Sequence, residues 1–211
     1  MVELRLGPKV VDLPFTVRIP AITEAMFDEL VDEDTNAELI DGVMIVHSPA
    51  SLRHDDVAGF LRALMRYYAE EKAAGRVLGP DSLVRLAPGR KFAPDAYFLE
   101  QSRVPARWKG KQFEGAPDLV VEVLSPSNRD DDLKDKWPRY RQAGVPEIWF
   151  VDYEKEVVIV DRKRKRGYGT THVDEGRLSS TALTGFWIDA GWLWEEPLPG
   201  GLACLRQMLG E

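Results

Sequence analysis

The spacing of apolar residues changes several times along this chain, and each change marks an element. From Ser51 to Glu71, the residues Val57, Phe60, Leu61, Leu64, Met65 and Tyr68 recur at steps of three and four. That spacing lines one face of a helix, and Gly75 follows it as a stop signal. Ile22 to Leu30 predicts a shorter helix with Thr23 as its N-cap. Glu38 to Val46 holds two β-prone runs around Asp41-Gly42, a strong hairpin-turn pair. Val77 to Leu86 and Phe92 to Leu99 read as two strands separated by Pro88-Gly89. Asp118 to Leu124 is almost unbroken apolar sequence, the pattern of a central strand covered on both faces. Asp130 to Ala143 predicts a helix ending before Gly144, with strands at Glu147 to Val151 and Val157 to Val160. Residues 185 to 209 are Trp-rich and predict a last strand or loop over the sheet, then a short helix. No repeat or Gly/Ser linker divides the 211 residues, which predicts a single α/β domain, a mixed sheet flanked by helices.

Composition narrows the function classes. The net charge of −7, from 28 Lys+Arg against 35 Asp+Glu, argues against broad coating of nucleic acid, which depends on neutralising phosphates. It leaves room for a local basic groove. The lone Cys204 forms no internal disulfide, and three scattered histidines, His47, His54 and His172, make no zinc spacing. The N-terminal residues lack the layout of a signal peptide, and no apolar run approaches a membrane span. The expectation is a cytoplasmic protein with no membrane partner.

The chemistry concentrates in a few acids. Glu122 interrupts an apolar strand, where a lone charge is costly to bury. Alternation puts Asp118, Val120, Glu122 and Leu124 on one face and Leu119, Val121 and Val123 on the other. Such a carboxylate needs a metal or a buried donor, and both readings stay open. Asp95 follows Pro94 at the opening of a strand, where site residues project. Pro-Asp also initiates ordinary turns, and the chain holds three such pairs, at Asp81, Asp95 and Asp118. Two carboxylates on neighbouring strands make a hard oxygen site suited to Mg²⁺ or Mn²⁺.

The chain resembles the Uma family of endonucleases, a branch of the PD-(D/E)XK superfamily, from about Ile22 to Trp187. The resemblance rests on ELIDGVMIVHSPASLRH (38 to 54), the Pro-Asp of FAPDAYF, and PDLVVEVLSPSNRDDDLKDKWPRYRQAGVPEIWFVD (117 to 152). It implies a core at about 22–187 and a C-terminal tail at 188–211. It makes Asp95 and Glu122 the motif carboxylates and implies a nuclease of the restriction-endonuclease-like fold. The superfamily's lysine, expected two residues after Glu122, is replaced by Leu124. The resemblance points instead to Lys136 on the following helix, with Lys134 as its rival. Pro138 complicates that helix, since it can kink it and bias Trp137 away from helical geometry. Glu38 matches the family's acid before the Ile-Asp-Gly turn and is the expected third metal ligand, or else an exposed strand-end acid. His54 opens the long helix, either facing the cleft or structural. Ser125 and Ser127 read as turn and cap residues, because no histidine base stands beside them.

Arg107, Lys109 and Lys111, with Arg103, Trp108 and Phe113, mix cations and aromatics as a strand-binding surface does. Arg162 to Arg166 is a denser basic tract that reads as a hairpin tip kept soluble by charge. Trp187, Trp192 and Trp194 suit either a homodimer interface or closure of the domain's own core. The sequence therefore predicts a Mg²⁺-dependent endonuclease acting on DNA. The alternatives are an inactive nucleic-acid-binding module and a self-associating module of the same fold.

Overall fold

The computed structural model describes residues 4–6, 9–11, 15–32, 35–110, 112–125 and 129–210. The chain opens with a two-stranded antiparallel ribbon, β1 (Leu4–Leu6) and β2 (Lys9–Val11). Then come β3 (Thr16–Pro20), α1 (Glu24–Leu30), β4 (Ala37–Ile40), β5 (Val43–His47) and α2 (Leu52–Glu71). Thr23 caps α1 by accepting the Met26 N–H, and Ser51 caps α2 by accepting that of His54. Asp41 and Gly42 both have positive φ, 50° and 85°, as the tight turn between β4 and β5 requires.

The next segment departs from the expected pair of strands. It forms four: β6 (Gly75–Leu78), β7 (Leu83–Ala87), β8 (Arg90–Phe92) and β9 (Ala96–Glu100). Each expected strand is cut at a proline, which cannot donate to a ladder. Pro80 lies in a turn closed by the Ser82 N–H on the Gly79 carbonyl, and Pro94 marks the second break. The pieces also part company in space. β6 and β9 pair with each other, while β7 and β8 form a hairpin in a different sheet. Gly75 is not the end of α2, because the chain has already turned at Ala73, with φ 48°. It lies in β6, where a Cβ would run into the Leu99 carbonyl oxygen.

A short β10 (Gln112–Glu114) precedes β11 (Leu119–Leu124). A helical segment follows, built from α3 (Arg129–Asp131), a π turn (Asp132–Lys136) and α4 (Trp137–Ala143). The rest is β12 (Glu147–Asp152), β13 (Val157–Lys163), β14 (Tyr168–Val173), β15 (Arg177–Ser179), β16 (Trp187–Asp189) and α5 (Gly201–Leu209).

Among the described residues, two six-stranded mixed sheets carry the fold, ordered β10-β7-β8-β4-β5-β3 and β14-β13-β12-β11-β9-β6. β11 is central in the second sheet, antiparallel to β9 and parallel to β12. A parallel pair needs a crossover, and the helical segment from α3 to α4 supplies it, carried back across β11. Leu119, Val121 and Val123 face the core built with α2 and the C-terminal residues. Val120 and Leu124 face a second core shared with Tyr140 and with Ile40, Ile45, Val84 and Phe92 of the first sheet. Trp187, Trp192 and Trp194 are partly buried against the first of these cores, with Trp187 and Trp192 in ring contact at 5.5 Å. These rings close the chain's own interior. No described helix is long and apolar enough to cross a membrane.

Pro138 does not end the helix. It removes the N–H that would bond to the Lys134 carbonyl, and the preceding turn widens into π geometry. The Arg139 guanidinium replaces part of the lost bonding, reaching the carbonyl oxygens of Asp135 at 2.8 Å and Lys134 at 3.4 Å.

Candidate active site

The site lies where the chain crosses from one sheet to the other, at Ala93-Pro94-Asp95. On one side of the crossing, the Glu38 carboxylate at β4 accepts the Ala93 N–H at 2.9 Å. On the other, Asp95 Oδ2 accepts the Val123 N–H of β11 at 2.7 Å. Each acid extends a strand pairing by a side-chain bond where the proline stops the backbone ladder. Glu38, His47, His54, Asp95, Glu122 and Lys136 line one small open cleft, with Ser48, Ser51 and Ser125 at its wall.

Glu122 is buried on the face of β11 toward the crossover helix. Its Oε1 accepts from Tyr140 Oη at 2.5 Å, and its Oε2 lies 3.2 Å from Lys136 Nζ. Lys136 is buried too, and its ammonium also touches Glu38 Oε1 at 3.0 Å and Asp132 Oδ1 at 3.1 Å. Asp132, Lys136 and Tyr140 recur every four residues, so one helix face brings Lys136 and Tyr140 onto Glu122 and Asp132 onto Lys136. Lys134, the rival lysine, is exposed and pairs with Asp130 at 3.4 Å.

The electrostatics follow from burying several acids around one ammonium. For Glu38, burial acts to raise the pKa, but the Lys136 charge and the His47 hydrogen bond prevail and hold it at about 2. Glu122 is pushed well above the carboxylate range by burial, with Asp132, Asp95 and Glu38 adding repulsion that Lys136 only partly offsets. Burial likewise raises Asp132, to about 6. Lys136 overcomes its own burial because Asp132, Glu122 and Glu38 keep it charged. His54 sits in the buried stripe of α2 and donates Nε2 to the Val123 carbonyl oxygen at 2.8 Å. Burial disfavours its cation, yet Asp95, 3.5 Å away, raises its pKa.

The donor set is chemically suited to a hard divalent cation. It offers carboxylate oxygens in excess of nearby positive charge, and Asp132 Oδ2 is buried with no hydrogen-bond partner. As arranged, however, no three acidic, histidine or cysteine side chains among the described residues form a metal shell. The expected trio of Asp95, Glu122 and Glu38 shares one cleft, but both Glu38 oxygens are taken, by Lys136 and Ala93 on one side and His47 on the other. The oxygens of Glu122 are engaged as well, by Tyr140 and Lys136, and Asp95 Oδ2 is held by the Val123 N–H.

The basic loop lies elsewhere. β9 and β11 are antiparallel, with Phe98 opposite Leu119 and Ala96 opposite Val121. Their connection therefore joins the ends remote from Asp95 and Glu122. It leaves the sheet at Glu100, roughly 17 Å along β9 from Asp95. Arg103 is paired with Asp118 at 2.7 Å, and Arg107 and Lys109, farther along the connection, are exposed. Lys111 and Ser127 lie outside the described residues. The β13–β14 tip with Arg164, Lys165 and Arg166 emerges at the same remote edge.

Two residues escaped the sequence reading. Asp132 sits in a run of three aspartates that reads as solvated helix, and Tyr140 reads as a core aromatic. The spacing 132, 136, 140 was the available signal.

Comparison with curated proteins finds no match. Among solved structures, the chain is similar to "a putative nuclease belonging to DUF820" from Anabaena variabilis, with a TM-score of 0.72 and 18% identity. That match covers 82% of this chain and 97% of the other, and it carries the fold. The family model described as "Putative restriction endonuclease" matches residues 24–191, and on that match the chain belongs to the Uma2 family.

Proposed function

We propose that this protein hydrolyses phosphodiester bonds of DNA at the cleft around Asp95 and Glu122, with Mg²⁺ or Mn²⁺ as cofactor. The observation that carries the reading is the convergence of Asp95, Glu122 and a buried, charged Lys136 on one open cleft. An ion held by Asp95 and Glu122 would polarise the phosphate and make bound water more acidic. The chain's own groups set the rest. Val123 N–H and His54 fix the Asp95 carboxylate, and Tyr140 fixes that of Glu122. Lys136 places a positive charge where negative charge develops on phosphate. Glu38, with both oxygens engaged, serves as a holder of Lys136.

Arg107, Lys109 and Lys111 belong to this reading as contacts to the flanks of a long substrate, not to the bond that is cut. Two-fold pairing of chains would suit cutting both strands, but the tryptophans give it no support because they are used within the chain.

Plasmid cleavage and melting temperature, each with and without Mg²⁺, test the assignment. Asp95→Asn and Glu122→Gln keep the side-chain shape and remove the charge. Each is expected to abolish cleavage and the Mg²⁺-dependent shift while the fold persists. A parent protein with neither cleavage nor a metal-dependent shift at millimolar Mg²⁺ or Mn²⁺ would leave the inactive binding module as the better reading.

A further inference from the structure

Lys136 Nζ has three carboxylate neighbours at 3.0 to 3.2 Å, one for each N–H of an ammonium. The three are not equivalent. Glu38 has further donors in Ala93 and His47, and Glu122 has Tyr140. Asp132 has Lys136 on Oδ1 and nothing on Oδ2, although that atom is buried. An orphaned carboxylate oxygen inside a protein is costly, and here it lies on a carboxylate whose other oxygen is already 3.1 Å from the Lys136 ammonium. The lysine stem is flexible and its donors rotate, whereas Glu122 is fixed on a central strand.

We propose that Lys136 is a displaceable counter-ion of Glu122, and that Asp132 is the positioning residue that receives its ammonium when Glu122 binds a divalent cation. The inference rests on the reading of Asp95 and Glu122 as the metal pair. Without metal, the ammonium sits on the oxygen that an ion would take, which explains why the carboxylates form no ready shell. With metal, Lys136 gives up Glu122 Oε2 and gains Asp132 Oδ2. It keeps Glu38 Oε1 and Asp132 Oδ1, so its number of acceptors is unchanged. The exchange makes and breaks hydrogen bonds only.

Two measurements test it. The first is a crystal structure of the unaltered chain soaked in Mn²⁺. Nζ within hydrogen-bond distance of Asp132 Oδ2 and released from Glu122 Oε2 is the expected result. Bound Mn²⁺ with Lys136 still on Glu122 overturns the exchange and leaves the metal reading intact. No bound Mn²⁺ overturns both. The second is a double-mutant cycle on Mn²⁺ affinity by calorimetry. Asp132→Asn is expected to weaken binding about tenfold in the parent chain and to change little in the Lys136→Met background, because Asp132 acts through the lysine. An equal loss in both backgrounds would mean that Asp132 attracts the ion directly by its charge and would overturn the role given to it.

Discussion

Tyr140 donates its phenolic hydrogen to Glu122 Oε1 at 2.5 Å, which ties the crossover helix to the middle of the central strand. Both groups are buried, so this oxygen has no water to turn to. Tyr140→Phe keeps the ring and removes the donor, and it is expected to cost about 1–3 kcal/mol of stability. Urea unfolding with an unchanged m-value would measure it. A loss below about 0.5 kcal/mol would show that Lys136 alone satisfies Glu122.

Gly75 runs against the Leu99 backbone, where β6 pairs with β9. Gly75→Ala forces a backbone-to-side-chain collision that no rotamer relieves. The expected destabilisation is roughly 3–5 kcal/mol, at the upper end for one substitution, and it should appear as a lower melting temperature with poor soluble yield. A variant as stable as the parent would mean that β6 can shift register at little cost.

Glu24 accepts from Arg85 at 2.5 Å, and that hydrogen bond holds its pKa at about 2, below the unfolded value of 4.5. A carboxyl depressed in the folded state contributes stability that is complete above pH 4.5 and lost as pH falls toward 2. Linkage sets a ceiling of about 3 kcal/mol, and solvent screening of this partly open pair brings it nearer 1 kcal/mol. Glu24→Gln should therefore unfold more easily than the parent at pH 7, with the two curves converging between pH 4.5 and 2. Parallel curves across that range would exclude Glu24 as the source.

The connection that carries Arg107 and Lys109 leaves the sheet at Glu100, roughly 17 Å along β9 from Asp95. Replacing Arg107, Lys109 and Lys111 by Ala is expected to leave cleavage of a very short duplex unchanged. On a duplex extending ten or more pairs past the cut, affinity should fall and the salt slope should shrink by up to about 3. Equal losses on short and long substrates would place the loop at the cleft.

Parts of the fold were legible because local pattern decides them. The stripe of α2, the Asp41-Gly42 turn, the cap Thr23 and the buried run of β11 all follow from spacing within a few residues. The splitting of two expected strands was less visible. Pro80 and Pro94 were in plain sight, but a proline says only that pairing stops, not that the next residues join another sheet. The family motif named Asp95, Glu122 and Lys136, yet it did not say which oxygens would be free.

What the sequence determined by itself is the long helix, the hairpin turn at Asp41-Gly42 and the presence of one acid inside an apolar strand, since hydrophobic period and turn chemistry act locally. Only the tertiary structure decided which acids share a cleft. Asp81, Asp95 and Asp118 follow proline alike, but Asp118 pairs with Arg103 at the remote edge and Asp95 meets Val123 at the cleft. The difference is sheet register, which brings residues 38, 95, 122 and 132 together across separations that no local pattern encodes. The same register puts the departure of the basic loop, at Glu100, at the end of β9 remote from Asp95.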